Sequence, residues 1–163
     1  MGINEENLYT NKRMKKYFKD QKNIPLRHKE ILKARIFESI EKSFEDNIDG
    51  GEYIVIDDLC EKEEILRKFN DLVEYEYACN EIYWAGQEIS YRYRGCIRAI
   101  LELIIQAIQS KYQNKTFIVY VFMQSGLSGW IQTRFHLNRN GEIPLDLQLD
   151  NYQHSVLYYI LKT

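Results

Sequence analysis

Apolar residues recur at spacings of three and four through the first two thirds of this 163-residue chain and alternate with polar ones in the last third. The first pattern belongs to helices that lay one stripe on a core, the second to strands with one buried face. Ile31, Leu32, Ile36, Phe37, Ile40 and Phe44 form such a stripe and predict a helix over 26–47. Asn47-Ile48-Asp49-Gly50-Gly51 then offers residues suited to a left-handed cap. Tyr53-Ile54-Val55-Ile56 is a short strand candidate, followed by Asp57 and Asp58 as N-cap residues. A second helix is predicted over 59–83, with Ile65, Phe69, Leu72, Val73 and Tyr77 facing inward. A third, over 87–112, carries apolar residues around most of its circumference (Ile97, Ile100, Leu101, Ile104, Ile105 and Ile108 among them) and is expected to be central.

Beyond residue 115 the period changes. Strands are predicted over 116–123, 130–137, 143–150 and 156–161. The alternation in the second and third of these suggests a hairpin. Its apolar faces coincide only if Leu137 opposes Ile143 and Phe135 opposes Leu145, leaving Arg139-Asn140-Gly141 as the loop. Helices followed by strands give an α+β fold, with N-terminal helices packed on one face of a C-terminal antiparallel meander of three to four strands. Residues 1–25 read as a basic, flexible segment with room for a short helix near 9–20, and 26–163 as a single domain.

Composition narrows the setting. Hydrophobic residues make up 45% and charged residues 28%, as in soluble globular chains. The three cysteines (Cys60, Cys79, Cys96) form no CxxC pair, so a disulfide framework is not expected. No apolar leader opens the sequence, and the run Ile97–Ile108 is interrupted by Arg98, Glu102 and Gln106, so no membrane segment is predicted. A cytoplasmic protein is the resulting expectation, and the abundance of Ile, Lys, Asn and Tyr points to an AT-rich bacterial genome.

Charge changes the picture most. Residues 1–37 hold ten Lys/Arg against four Asp/Glu, residues 38–88 hold four against sixteen, and residues 89–163 hold eight against four. The modest net charge of −2 therefore conceals a strongly acidic middle. Sixteen carboxylates with so few local partners repel one another unless the basic N-terminal segment folds across them or a basic partner does. Beside them lie Tyr75, Tyr77, Tyr83 and Trp84, the residue types that anchor interfaces.

Candidate chemistry is sparse. The expected hairpin places Arg134, His136 and Asp146 together on the face away from the core, where they could serve as anion clamp, general acid–base and orienting group of a small enzyme. The same arrangement equally describes cross-strand charge pairs on a solvated sheet face. The histidines lie far apart and no metal-ligand spacing occurs, so no metal or cofactor is expected. Ser125-Gly126-Leu127-Ser128-Gly129 lacks the lysine and the strand-to-helix setting of a phosphate loop. Lys12–Lys22 and Tyr91-Arg92-Tyr93-Arg94 with Arg98 could track a phosphate backbone, but a sequence pI near 6.0 argues against a nucleic-acid footprint.

The reading favoured by these observations is a binding module that docks a basic protein through Glu61, Glu64, Glu74, Tyr75, Glu76, Tyr83 and Trp84. By analogy of size and charge, its most concrete form is a bacterial immunity protein or antitoxin against a cationic toxin such as a nuclease. The enzyme built on Arg134, His136 and Asp146 is the alternative, and a nucleic-acid-associated regulator the third.

Overall fold

A computed structural model describes residues 3–19, 24–85, 95–124, 129–139 and 148–163. The near-continuous apolar run TFIVYVFM becomes the central strand of the sheet, β5 (Thr116–Gln124). It is flanked on one side by β6 (Trp130–Leu137) and on the other by β7 (Ser155–Lys162), both antiparallel. An edge strand completes each side: β4 (Glu81–Ala85) beside β6 and β1 (Leu8–Thr10) beside β7, giving the order β1-β7-β5-β6-β4. A separate two-stranded sheet joins β2 (Phe44–Ile48) to β3 (Gly51–Val55).

Strand period two explains why β5 is apolar throughout. Phe117, Val119, Val121 and Met123 face the main core with Ile131, Phe135, Leu137, Leu157 and Leu161. Onto that face pack α1 (Lys12–Lys19), α2 (Leu26–Lys42) and α5 (Ile97–Lys111), which contribute Met14, Ile36, Ile40, Ile97, Leu101, Ile104 and Ile108. Ile118, Tyr120 and Phe122 point the other way and join Val156, Tyr158 and Leu149, with Tyr77 and Tyr152 packed against them. Two short helices, α3 (Ile65–Lys68) and α4 (Leu72–Cys79), cover the β2–β3 hairpin. The α+β class and the packing of α2 and α5 on one sheet face follow the sequence expectation, whereas the third helix on that face is α1 and not one from 59–83. No helix among the described residues is long and apolar enough to cross a membrane.

Several expected elements differ. The helix predicted to reach residue 47 stops at Lys42, where Ser43 takes an extended conformation and bonds back to the Ile40 carbonyl at 2.5 Å. Phe44, in phase with the helical stripe, instead opens β2. Asp49 and Gly50 both have positive φ (51° and 82°), so the glycine-rich stretch forms a two-residue type I′ hairpin turn rather than a helix cap.

The helix predicted over 59–83 is broken in three. A 3-10 turn at Lys62–Glu64 leads into α3, and α4 restarts at Asp71, whose carboxylate accepts from the Glu74 amide at 2.7 Å. Glu74 reaches back to the Asn70 amide at 2.8 Å, a variant of the capping box. Past Asn80 the chain is already strand β4, in which Ile82 and Trp84 are buried while Glu81 and Tyr83 are exposed. Asp71→Ala is expected to cost about 1 kcal/mol of stability, read from the midpoint of urea unfolding.

The hairpin predicted between 130–137 and 143–150 has no free edge at 130–134. β6 already has β5 on one edge and β4 on the other, with Arg134 opposite Glu81. Residues 140–147, and with them the proposed loop and register, lie outside the described residues, and Leu149–Asn151 is a 3-10 turn. The start predicted for the third helix, at 87, also lies outside them. The basic N-terminal residues are part of the fold: β1 extends the sheet, and α1 buries Met14 and Phe18.

Candidate functional site

The acidic middle of the chain folds into the β2–β3 hairpin, α3 and α4, and the segment that links β3 to α3. Register places Asp46 directly across from Tyr53. The Tyr53 hydroxyl donates to Asp46 Oδ2 at 3.2 Å, and Lys62 Nζ donates to Oδ1 at 2.7 Å. Tyr75, fully buried on α4, donates its hydroxyl to Asp58 Oδ1 at 2.7 Å. The two tyrosine rings meet edge to face at 5.5 Å over a small core of Val55, Ile65 and Cys79. Two buried phenols thus present two carboxylates in fixed positions.

Those carboxylates line an open pocket of about 430 Å³ with Leu59, Cys60, Glu61 and Lys62. Lys62 holds Asp46 below the usual carboxylate range, with help from the Asn47 amide. Burial, together with the Asp46 charge, pushes Tyr53 up to about 12, so this phenol stays a donor. Burial also lifts the Cys79 thiol to about 11, which makes it an inert packing residue rather than a nucleophile. Leu59 stands at the pocket with 56% of its surface exposed. Among the described residues no group of three or more His, Cys, Asp or Glu side chains is arranged to hold a metal.

Beyond the block's own lysines and arginine, its neutralisation among the described residues comes from the last third of the chain, not from the basic N-terminus. Lys115 meets Glu45 at 3.2 Å and also Glu52, Arg134 meets Glu81, and Arg139 meets Glu76 at 2.6 Å. At the N-terminus, Lys12 pairs with Asp150 at 3.4 Å. Glu61 and Glu63 carry no ion pair among the described residues and are exposed. Of these two, Glu61 lines the pocket beside Asp58.

Of the residues expected to bind a partner, only some are available. Glu61 is exposed and lines the pocket. Glu64 is half-buried and bridges to Arg67 and Lys68 at 2.6 Å each. Glu74 is exposed but committed to the start of α4. Tyr83 is exposed on edge strand β4. Three expectations are corrected: Tyr75, Glu76 and Trp84 are interior. Tyr75 and Glu76 turned inward because α4 is covered on two sides, by β3 and by β6. Trp84 did so because strand alternation, not helical period, governs 81–85, and its ring also carries the Arg35 guanidinium at 5.5 Å.

Glu76 on α4 and Asn80 at its C-cap form a polar bridge that no local sequence pattern announces. Glu76 accepts from the Ile54 amide at 2.7 Å, the Leu137 amide at 3.3 Å and Arg139 Nη1 at 2.6 Å. Asn80 accepts from the Ile56 amide and donates to the carbonyls of Ile54 and Phe135. Arg139 also donates to the Glu52 carbonyl. Together they tie the hairpin to the far end of β6.

The alternative catalytic group is not assembled as expected. His136 is fully buried, not on a solvated face. Its Nδ1 lies 2.7 Å from the Leu137 carbonyl, which can only accept, so Nδ1 carries the hydrogen and the Tyr120 hydroxyl donates to Nε2 at 3.1 Å. Burial lowers its pKa to about 4, keeping the ring neutral. Arg134 lies over the Tyr77 ring at 4.7 Å, donates to the Tyr77 carbonyl at 2.7 Å and pairs with Glu81. Asp146, Arg92 and Arg94 lie outside the described residues. Arg98 pairs with Glu102 at 3.3 Å and stacks on Phe18.

The model of the Uncharacterized protein PM0498 family matches residues 9–161. The chain belongs to this family. The span that defines it as a PM0498-family protein runs from edge strand β1 to the end of β7 and contains the acidic pocket, the Glu76–Asn80 bridge and the main core. No curated protein and no solved structure matches the chain.

Proposed function

We propose that the protein is a cytoplasmic binding module that docks a basic protein partner on the acidic pocket of the β2–β3 and α3 region. The observation that carries this reading is the pocket itself: Asp46 and Asp58, oriented by buried tyrosines, with Glu61 beside them and Leu59 exposed at the edge. A lysine or arginine side chain entering it would meet Asp58 and Glu61, would share Asp46 with Lys62 or displace it, and would find apolar contact on the leucine. Pairing of this kind sets encounter rate and specificity, while buried contacts supply affinity. The most concrete partner is a cationic toxin such as a nuclease, whose polyanion-binding surface an acidic inhibitor would occupy, which would make this chain a bacterial immunity protein or antitoxin.

The test uses a basic protein encoded beside this gene, mixed with the purified chain in stopped flow at several ionic strengths. Replacing Glu61 and Glu63 together with lysine is expected to slow association at low salt on the order of tenfold or more and to flatten its salt dependence. These exposed side chains lie outside the core, so the fold should be retained. An unchanged association rate and salt slope would remove the reading.

A further inference from the structure

A second pocket, on the basic side of the molecule, has the opposite chemistry. It lies between α1 and the adjoining ends of β5 and β7, with a volume of about 300 Å³. Arg13 and Lys16 line it, together with Gln124, Gln153 and His154, and no carboxylate does among the described residues. Spacing on α1 explains the two cations. Met14 and Phe18 point into the core, and residues 13 and 16, one turn apart, share another side of the helix. Arg13 and Lys16 have no ion pair among the described residues, whereas their neighbour Lys12 is paired with Asp150.

The uncharged lining is also biased toward donation. The indole N–H of Trp130 can only donate, and it bonds Gln124 Oε1 at 2.8 Å. The Gln124 carbonyl is thereby occupied and its NH₂ group left to donate. Trp130 also meets the His154 ring edge to face at 5.2 Å, and the His154 carbonyl accepts from Asn11 at 2.8 Å, which fixes the backbone at the pocket. Two cations without an ion pair and a donating amide, with no carboxylate in the lining among the described residues, form a site for a compact anion of high charge density.

We infer that this pocket binds the phosphate group of a small phosphomonoester. Arg13 matches two phosphate oxygens in its planar fork, Lys16 supplies a second positive charge, and Gln124 adds a neutral donor. The volume suits a phosphate carrying a small organic group and is at the lower end of ligand pockets. This site is separate from the acidic pocket, and neither reading depends on the other.

Trp130 fluorescence offers a direct readout, because its indole touches both Gln124 and His154. The probes are ribose 5-phosphate and adenosine monophosphate, with ribose and adenosine as phosphate-free counterparts and a single-stranded RNA of ten nucleotides as a phosphodiester. The phosphomonoesters are expected to bind at least about tenfold more tightly than their counterparts. Replacing Arg13 and Lys16 together with glutamine should abolish that difference. Lys15→Gln removes the same charge from the same helix but lies outside the pocket, and should leave affinity within about twofold. Comparison of the two monoesters then tells a nucleotide from a sugar phosphate. The inference is overturned if phosphate-free compounds bind as well, if Lys15→Gln weakens binding as much as the pocket variant, if RNA binds more tightly than either monoester, or if neither monoester binds.

Discussion

At pH 8, where its carboxyl is ionised, replacing Glu76 with alanine is expected to destabilise the fold by about 3–5 kcal/mol, the range for removing one member of a buried charged pair. The loss should appear as a lower denaturant midpoint with little change in slope. The carboxylate is fully buried and accepts from two backbone amides and one guanidinium nitrogen. Alanine leaves the Ile54 and Leu137 amides without acceptors and Arg139 without its counter-charge, and each buried orphan costs more than the bond it made. Glutamine retains the volume but exchanges one acceptor oxygen for a donor, which must face either the Ile54 amide or the Leu137–Arg139 pair. Its cost should fall between wild type and alanine. A Glu76→Ala protein as stable as wild type would show that the bridge does not hold the fold.

The same residue gives the stability an unusual pH dependence. Burial raises Glu76 to about 7 from its ordinary 4.5, against the opposing pull of Arg139 and the two amides. Between those values the folded chain keeps a proton that the unfolded chain releases. The stability due to this group is fully present below pH 4.5 and is lost as pH rises through 7. His136 works in the opposite sense. Burial lowers it from 6.5 to about 4, so between those values the unfolded chain takes up a proton that the folded chain refuses, and stability is lost as pH falls. Each effect has a limiting slope of about 1.4 kcal/mol per pH unit. From pH 6.5 down to 5 they largely cancel in the wild type. Glu76→Gln should expose the histidine slope, with stability falling as pH falls, and His136→Asn the glutamate slope, with stability rising. Unfolding titrations of both variants that slope the same way would contradict the assignment.

The parts of the fold visible in the sequence are those in which one period dominates. Thr116–Met123 and Trp130–Leu137 were placed nearly residue for residue because an apolar run and a clean alternation admit few other readings. The helical stripe from residue 26 matches α2 to Lys42 and then misleads at Phe44, which fits a helical stripe and a strand equally well; Asp49-Gly50, a strong type I′ turn signal, decides between them. The span 59–83 failed for a different reason. Its residues are good helix formers, but Asn70-Asp71 starts a new helix, and Asn80 is drawn into bonds with β3 and β6 that end it. Those partners are 24 and 55 residues away, so no local pattern announces them. The acidic character of the candidate site was plain from the charge blocks, whereas its membership was not. Glu76 looked like one more solvated carboxylate, and only the approach of Arg139 and two amides shows otherwise. His136 looked exposed because its strand neighbours Gln132 and Arg134 are polar, yet α4 covers that side and buries it.

Asn80→Ala should be the second most damaging change, at about 3 kcal/mol, because it removes three hydrogen bonds at a fully buried position and leaves the Ile56 amide without an acceptor. Aspartate at this position tests the assignment more sharply. It keeps an acceptor for Ile56 but turns its second oxygen toward the carbonyls of Ile54 and Phe135, so Asn80→Asp should be at least as destabilising at neutral pH. Protonation of that carboxyl at low pH should recover part of the loss. The damage should also be local before it is global. Asn80 joins the β2–β3 hairpin to β6, so hydrogen exchange should accelerate first at Ile54 and Ile56 and last at the β5 amides, which are bonded on both sides. Asp46 and Tyr53 belong to that hairpin, while Arg13 and Lys16 belong to α1 and Gln124 to β5. At temperatures where the main sheet remains folded, Asn80→Ala should therefore weaken docking of a basic partner and leave binding of ribose 5-phosphate unchanged. Equal loss of both would mean that the hairpin and the main sheet unfold as a single unit.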